Sequence, residues 1–178
     1  MAKNRDALRQ LAVSELQSLL GSEPKLAAGF ARLAKQAGSP VLRKFCREGV
    51  TYTERRVERL RQALDLLKVP APPRQSKAMP GLIADALAAG KSSGGDRQAR
   101  DLAILTAIER ISHYGLASYT SIERFLLVCR EGNARRVLAP SVREKRDAIG
   151  EMSRMARKQF IPPLRERITA SPRSGRRD

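Results

Sequence analysis

Residues 100–129 read RDLAILTAIERISHYGLASYTSIERFLLVC and continue for thirty residues without a proline. Apolar and small side chains recur there at alternating steps of three and four, at Leu105, Ile108, Ser112, Gly115, Tyr119, Ile122 and Leu126. This spacing is typical of one face of a long α-helix that packs against other helices. Ser112 and Gly115 stand on that face where close packing favours Leu, and a glycine inside a helix costs about 1 kcal/mol relative to alanine. Some other requirement has therefore displaced the larger side chains.

Two more periodic stretches precede this helix. The first covers residues 7–37 and is predicted to be one long helix, bent or briefly broken near residues 21–24, because Pro24 removes a backbone hydrogen bond. The second follows the turn Gly38-Ser39-Pro40, in which Ser39 is expected to cap the new helix. Residues 69–80 contain four prolines and are predicted to form a loop before a short helix over residues 81–89.

A fourth periodic stretch follows a turn at residues 130–133 and runs from Leu138 to Ala156. Pro140 could separate its first turn from the rest, and Pro162-Pro163 is expected to end the helix. The remaining residues, 162–178, are polar and basic and are predicted to form a disordered tail.

The composition favours helices over sheets. Trp is absent and aromatic residues make up only 4% of the chain, so Leu, Ala, Val and Ile must build the core. Four helices of 25–30 residues, with one long crossover between the second and third, describe an all-α, ferritin-like four-helix bundle with a short extra helix. We expect this single domain to occupy residues 1–161.

The chain is strongly basic, with 35 Lys and Arg against 18 Asp and Glu and a net charge of +17. The excess is spread along the sequence, which favours a generally basic protein over a dedicated nucleic-acid module. The alternative is a weak, sequence-independent attraction to nucleic acid or to an anionic surface. The C-terminal arginines would count as a polyanion contact only in that case: Arg165, Arg167, Arg173, Arg176 and Arg177.

The sequence predicts a cytoplasmic protein. Cys46 and Cys129 are far apart, and each lies in a helical pattern, so we interpret them as reduced core thiols. No apolar run approaches the roughly 20 residues of a membrane span, and the first residues have no signal-peptide pattern.

Two charged residues fall on apolar seams. Glu23 lies on the buried face of the first helix and Lys145 on that of the last. Burying a carboxylate without a partner is costly, so Glu23 should meet a cation, a metal ion or a proton.

Three motifs together resemble a known family. Residues 15–23 (ELQSLLGSE) are similar to its pattern E-L-x-D-L-Y-x-A-E, and residues 77–83 (KAMPGLI) resemble A-M-E-G-L-I. Residues 112–119 (SHYGLASY) resemble E-H-Y-E-I-A-S-Y. On these motifs the chain resembles the ferritin-like stress-protein family of the YciE/YciF type, over about residues 8–157.

The resemblance implies a di-metal centre held between the helices by acidic residues and histidine. Glu23 matches the first-helix glutamate, and Glu144 remains near the positions expected on the last helix. The other implied ligand positions are replaced, which makes them vestigial: Gly49, Tyr52, Ser112, Gly115, Lys145 and Ile149. One glutamate cannot hold two hard cations, so we expect no metal and no cofactor.

We therefore hypothesise that an ion pair between Glu23 and Lys145 spans the gap left by the metal. Arg56 borders the same space and is the alternative partner for Glu23. A third possibility is that Pro24 turns Glu23 out to solvent.

The sequence predicts a non-catalytic protein that forms a homodimer and has a structural or interaction role linked to the stress response. One alternative is a residual iron- or manganese-binding protein that uses Glu23, Glu144 and unrecognised donors. The other is a basic protein associated with nucleic acid. His113, the single histidine, lies off the seam and is expected to pack or hydrogen-bond, because it cannot form a metal cluster alone.

Overall fold

The computed structural model describes residues 2–74, 76–91 and 95–170. Throughout these residues the regular structure is helical, which confirms the predicted all-α, ferritin-like four-helix bundle. The helices are α1 (Ala2–Gln36), α2 (Pro40–Leu66), α3 (Ala78–Ala89), α4 (Arg97–Val128), α5 (Gly132–Met155) and α6 (Ile161–Ala170), with a π-helical turn at Ala156–Phe160.

The bundle consists of two helical hairpins. α1 packs most extensively on α2, and α4 packs on α5, as the short turns between them require. α1 also contacts α4, and α2 contacts α5, so the four long helices enclose one central axis. The short helix α3 belongs to the long crossover and covers α4 and α1 at one end of the bundle.

The crossover between α2 and α3 lies directly on α1. The Arg74 amide donates a hydrogen bond to the Gln17 carbonyl at 2.9 Å, and the Gln17 side chain donates to the Pro70 carbonyl at 3.1 Å. A Cβ atom at position 21 would collide with the Arg74 backbone, so Gly21 provides the space that this contact needs. The glycine therefore serves close approach and does not break the helix.

Proline interrupts the helices less than the sequence suggests. The prediction of one long first helix is confirmed, and α1 continues through Pro24 without the brief break that was the alternative to a bend near residues 21–24. α5 likewise continues through Pro140. The predicted end at Pro162-Pro163 is wrong, and so is disorder up to residue 170, since α6 contains both prolines. A π-helical turn at Ala156–Phe160 precedes α6. The rest of the expected tail, residues 171–178, lies outside the described residues.

The apolar core consists of two separate clusters. The α3 cluster contains the C-terminal half of α1, the start of α2, α3 and the end of α5, with Leu26 and Met152 among its members. The distal cluster contains the N-terminal half of α1 and the start of α5, with Leu16 and Leu138. Between them lies a band of buried polar side chains, here named the polar layer: Glu23, Thr53, Arg56, Ser112, Tyr119 and Lys145.

A buried aspartate fixes the turn between α1 and α2. The two carboxylate oxygens of Asp101, on α4, each accept a hydrogen bond at 2.6 Å, from the backbone amides of Gly38 and Ser39. The Ser39 hydroxyl accepts a bond from the Leu42 amide at 3.2 Å, which confirms Ser39 as the cap of α2. Asp101 thus ties the first hairpin to α4 through charge-assisted bonds.

We expect Asp101→Ala to lower the free energy of unfolding by about 2–3 kcal/mol, because two amides would lose a charged acceptor in a buried place. Chemical denaturation followed by circular dichroism measures the change. Asp85→Ala is the matched control, since Asp85 is exposed on α3 and its loss should change stability by less than about 0.5 kcal/mol. Equal effects of the two substitutions would contradict this role of Asp101.

Candidate functional site at the midpoint of the bundle

Glu23 is the centre of the polar layer. Its side chain is completely buried, which excludes the possibility that Pro24 turns it out to solvent. The Tyr119 hydroxyl donates a hydrogen bond to Glu23 Oε1 at 3.1 Å, and Arg56 Nε donates to Oε2 at 3.3 Å. Burial and the charge of Glu23 raise the pKa of the Tyr119 phenol well above its ordinary value, so this group remains a donor.

Arg56 extends the layer from Glu23 toward the surface. Its Nη2 donates to the Thr53 hydroxyl at 2.8 Å, and its Nη1 lies 3.7 Å from Glu144 Oε2. Glu144 Oε1 in turn pairs with Arg59 Nη2 at 2.7 Å. The charges therefore alternate in sign from the interior outward, which compensates much of the cost of burying them.

Lys145 is the second buried cation of the layer. Its Nζ lies 4.0 Å from Glu23 Oε1, while Arg56 makes the shorter contact with the same carboxylate. Burial lowers the pKa of Lys145 to about 8, and the positive charge of Arg56 acts in the same direction. The carboxylates of Glu23 and Glu144 only partly oppose this shift. Both partners considered from the sequence are thus near Glu23, and Arg56 is the closer.

Small residues on the neighbouring helices make room for these side chains. A Cβ atom at position 115 would lie 2.8 Å from Lys145 Nζ, and one at position 49 would lie 3.0 Å from the Phe30 ring. Ser112 is buried beside them. Gly115 on the α4 seam is therefore explained by the volume of Lys145, and Ser112 lines the same cavity as that lysine.

Two of the positions singled out from the sequence do not belong to the layer. Tyr52 is 42% exposed, so the implied ligand position that it occupies faces the surface and not the interior of the bundle. It lies one turn before Arg56 on α2, and Arg55 stacks on its ring with the guanidinium carbon 5.8 Å from the ring centroid. Ile149 is partly buried against the α3 cluster. The tyrosine inside the bundle is Tyr119.

The donors of the layer do not fit a di-metal centre. In residues 2–74, 76–91 and 95–170, no group of three or more His, Cys, Asp and Glu side chains is arranged to hold a metal ion. Glu23 and Glu144 are both paired with arginine, and Lys145 contributes positive charge to the same space. Hard divalent cations need several oxygen donors free to converge on them.

The other candidates lie apart from this layer. His113 is exposed on α4. Cys46 is buried, and burial together with the Asp101 charge raises the pKa of its thiol to about 12, so it is a poor nucleophile. Arg167 pairs with Asp96 at 2.8 Å, and Arg165 is exposed. The remaining arginines named from the sequence, Arg173, Arg176 and Arg177, lie outside the described residues.

Sequence reasoning missed three members of the network. Tyr119 stands four residues after Gly115 on the same seam, and this spacing could have placed its hydroxyl near Glu23. Arg59 follows Arg56 by three residues, and Ser141 precedes Lys145 by four, so each shares a helix face with a recognised residue. Arg59 Nη1 donates to the Ser141 hydroxyl at 3.3 Å.

The lowered pKa of Lys145 makes stability depend on pH. Between about pH 8 and 10.5 the unfolded chain binds more protons at this lysine than the folded chain does, so folding becomes more favourable as the pH rises. We expect the stability of the native chain, relative to Lys145→Met, to increase by about 2 kcal/mol from pH 7.5 to 9.5. Urea unfolding of both proteins at each pH measures it.

The comparison with Lys145→Met cancels the other groups that titrate in this range, such as the Cys46 thiol. Lys158→Met is the control, because Lys158 is exposed and its removal should leave the pH profile unchanged. If the free energies of unfolding of the native chain and of Lys145→Met changed in parallel with pH, the Lys145 amine would not be desolvated.

The chain is similar in fold to two solved structures. One is the Escherichia coli stress protein YciF, with a TM-score of 0.79 and 21% identity over 84% of this chain and 94% of that one. The other is YcfI, a proposed structural protein from Rhodopseudomonas palustris, with a TM-score of 0.77 and 21% identity over 82% of this chain and 92% of that one. No curated protein matches the sequence significantly.

In the described part of the chain, no helix is both long enough and apolar enough to cross a membrane. A family model described as a domain of unknown function, DUF892, matches residues 7–161, which include α1 from residue 7 onward, the other three long helices and the whole polar layer. The chain therefore belongs to the DUF892 family, the family of YciF type that its motifs resemble.

Proposed function

We propose that this protein is a non-catalytic member of its family, in which the midpoint of the bundle holds the helices together and binds no metal. The observation that carries this proposal is the state of Glu23. Its two carboxylate oxygens are already engaged by the Tyr119 hydroxyl and the Arg56 guanidinium, with Lys145 at 4.0 Å. A carboxylate occupied in this way is not available as a ligand.

The charge of the layer supports the same proposal. Arg56 and Lys145 are both almost completely buried and approach Glu23 from two different helices, α2 and α5. A divalent cation at this point would meet two positive charges in a poorly screened environment. The residues at the implied ligand positions, among them Ser112 and Gly115, add no strong donor.

A structural or interaction role in the stress response is the biological function that we propose. It is supported by the similarity of fold to YciF, a stress protein, and to YcfI, a proposed structural protein. Exposed apolar side chains on α6, Ile161 and Ile168, give the bundle a surface that suits a second copy of the chain. Homodimerisation is therefore part of the proposal, and sedimentation analysis tests it.

We expect the protein purified from iron- or manganese-supplemented cells to contain far less than one metal ion per chain by elemental mass spectrometry. The physical reason is the engagement of Glu23 and the presence of Lys145 in the same layer. A stoichiometric metal content that is lost in Glu23→Gln would overturn the proposal and favour a residual metal-binding protein.

A restored variant provides the positive control. Ser112→Glu, Gly115→Glu and Lys145→Glu together would put three carboxylates beside Glu23 and remove the buried amine. We expect this variant to bind iron or manganese under the same conditions, because it regains several converging oxygen donors. If the restored variant folds and neither it nor the native chain contains metal, the backbone no longer supports a metal site. The polar layer alone would then not explain why the native chain binds no metal.

A second candidate function is the binding of nucleic acid, and one surface feature favours it. A groove of about 630 Å³ between the end of α1 and the start of α2 is lined by Lys35, Arg43 and Arg47, with no carboxylate in its lining. Thr51 adds a hydroxyl. Such a basic groove suits the phosphate backbone, which is recognised without regard to base sequence.

We expect binding to duplex DNA to weaken steeply with salt, because phosphate contacts release counterions. Replacing Lys35, Arg43 and Arg47 by Gln should reduce the slope of log affinity against log salt by roughly 2–3 units, as measured by fluorescence anisotropy. The control removes the same charge from exposed positions elsewhere, with Gln at Arg154, Arg157 and Lys158. A flat salt response, or equal effects of both triple variants, would contradict a role for the groove.

A further inference from the structure

A cavity of about 130 Å³ connects the polar layer with the surface between α2 and α5. Arg56, Ser112 and Lys145 are the polar groups at its inner end, and the rings of Phe30 and Phe45 form an apolar wall. Exposed residues surround its mouth, where carboxylates predominate: Glu48, Tyr52, Asp147 and Glu151.

The amine of Lys145 is buried in this cavity without being held tightly. The residue is 4% exposed, and its ion pair with Glu23, at 4.0 Å, is longer than a hydrogen bond. Of the residues that the structure describes, none accepts a hydrogen bond from Nζ. The missing side chain at Gly115 makes room for the amine itself, since a Cβ there would lie only 2.8 Å from Nζ, and the free space beside Lys145 is the cavity that it lines.

Charged groups on three helices, together with burial, set the protonation of the Lys145 amine. Glu23 on α1 and Glu144 on α5 favour the charged form, and Arg56 on α2 and burial disfavour it. The balance lowers the pKa of Lys145 to about 8, so roughly one amine in ten is neutral at pH 7. An amine of this kind is a nucleophile toward carbonyl carbon, as desolvated lysines in other proteins are.

We propose that Lys145 captures a small aldehyde as an imine inside this cavity. The lone pair of neutral Nζ forms a bond to the carbonyl carbon and gives a carbinolamine. The carbon–oxygen bond then breaks, the oxygen leaves as water with both amine protons, and a carbon–nitrogen double bond remains. No oxidant or reductant is needed. Glu144, whose Oε2 has no hydrogen-bond partner, lines the same cavity and can relay a proton.

Size and charge define the class of ligand. A cavity of about 150 Å³ in another protein holds benzene, so this one suits a molecule of about five or six non-hydrogen atoms. The phenylalanine wall favours an alkyl chain. The carboxylates at the mouth, Glu48, Asp147 and Glu151, repel anions, so a neutral aldehyde should enter more readily than a keto acid. This chemistry goes beyond the proposed structural role.

The experiment uses the full chain at pH 7 with a limiting amount of butanal and sodium cyanoborohydride, which reduces the imine to a stable amine. Peptide mass spectrometry locates the alkylated sites and separates the N-terminal amine from the lysines. We expect Lys145 to be labelled roughly tenfold faster than exposed Lys158, because far more of it is neutral. The proposal would be overturned if Lys145 were labelled no faster than Lys158. It would also be overturned if Lys145 were labelled as fast in the urea-unfolded protein as in the folded one.

Two further variants examine the cavity itself. Gly115→Ala places a methyl group against Nζ and should slow the labelling of Lys145 while leaving Lys158 unchanged. In case that variant does not fold, Asp147→Asn with Glu151→Gln changes only exposed residues. It should increase the labelling of Lys145 by pyruvate and leave labelling by butanal unchanged. No increase with pyruvate would mean that the ligand does not enter through this mouth, and would contradict the proposed route.

Discussion

A completely buried carboxylate between two apolar clusters is the constraint on which the rest of this bundle depends. Glu23 cannot reach water, so each of the other three long helices supplies a partner for it: Arg56 from α2, Tyr119 from α4 and Lys145 from α5. Such a layer need not add net stability, since desolvation offsets much of the attraction. Its effect is to make one arrangement of the helices lower in free energy than others, because sliding α1, α2 or α5 by a turn would leave a buried charge unpaired.

The layer also explains why small residues occupy the centre of α4. The Lys145 side chain and a side chain at position 115 compete for the same volume, as the 2.8 Å approach of a Cβ atom to Nζ demonstrates. The cost of a glycine inside a helix, about 1 kcal/mol, is the consequence of placing a long cation opposite it. Lys145 and Gly115 are therefore coupled by packing, and a larger residue at 115 requires a shorter one at 145.

The fold could be predicted because helical periodicity in Leu and Ala is strong over long stretches, and because the seams placed Glu23 and Lys145 inside. Single residues, such as prolines, predicted the structure less well than the periodicity did. Pro24, Pro140 and Pro162-Pro163 suggested breaks, yet α1 and α5 continue through the first two, and α6 contains the last pair shortly after a π-helical turn. Tyr52 occupies an implied ligand position on the same face of α2 as Arg56, but it lies at the open mouth of the cavity between α2 and α5, where it is 42% exposed.

The sequence could not predict which side chains of the polar layer contact each other most closely. Periodicity assigns a residue to a face, but it does not say which side chains of neighbouring helices meet, and Arg56 contacts both Glu23 and Glu144. Arg56 offers a fork of donors with a permanent charge, whereas Lys145 offers one point charge that loses more on burial. The arginine therefore makes the shorter contact to Glu23, at 3.3 Å against 4.0 Å for Lys145, and also lies 3.7 Å from Glu144. The lysine is left with the weaker contact and a lowered pKa, next to a cavity that opens to solvent.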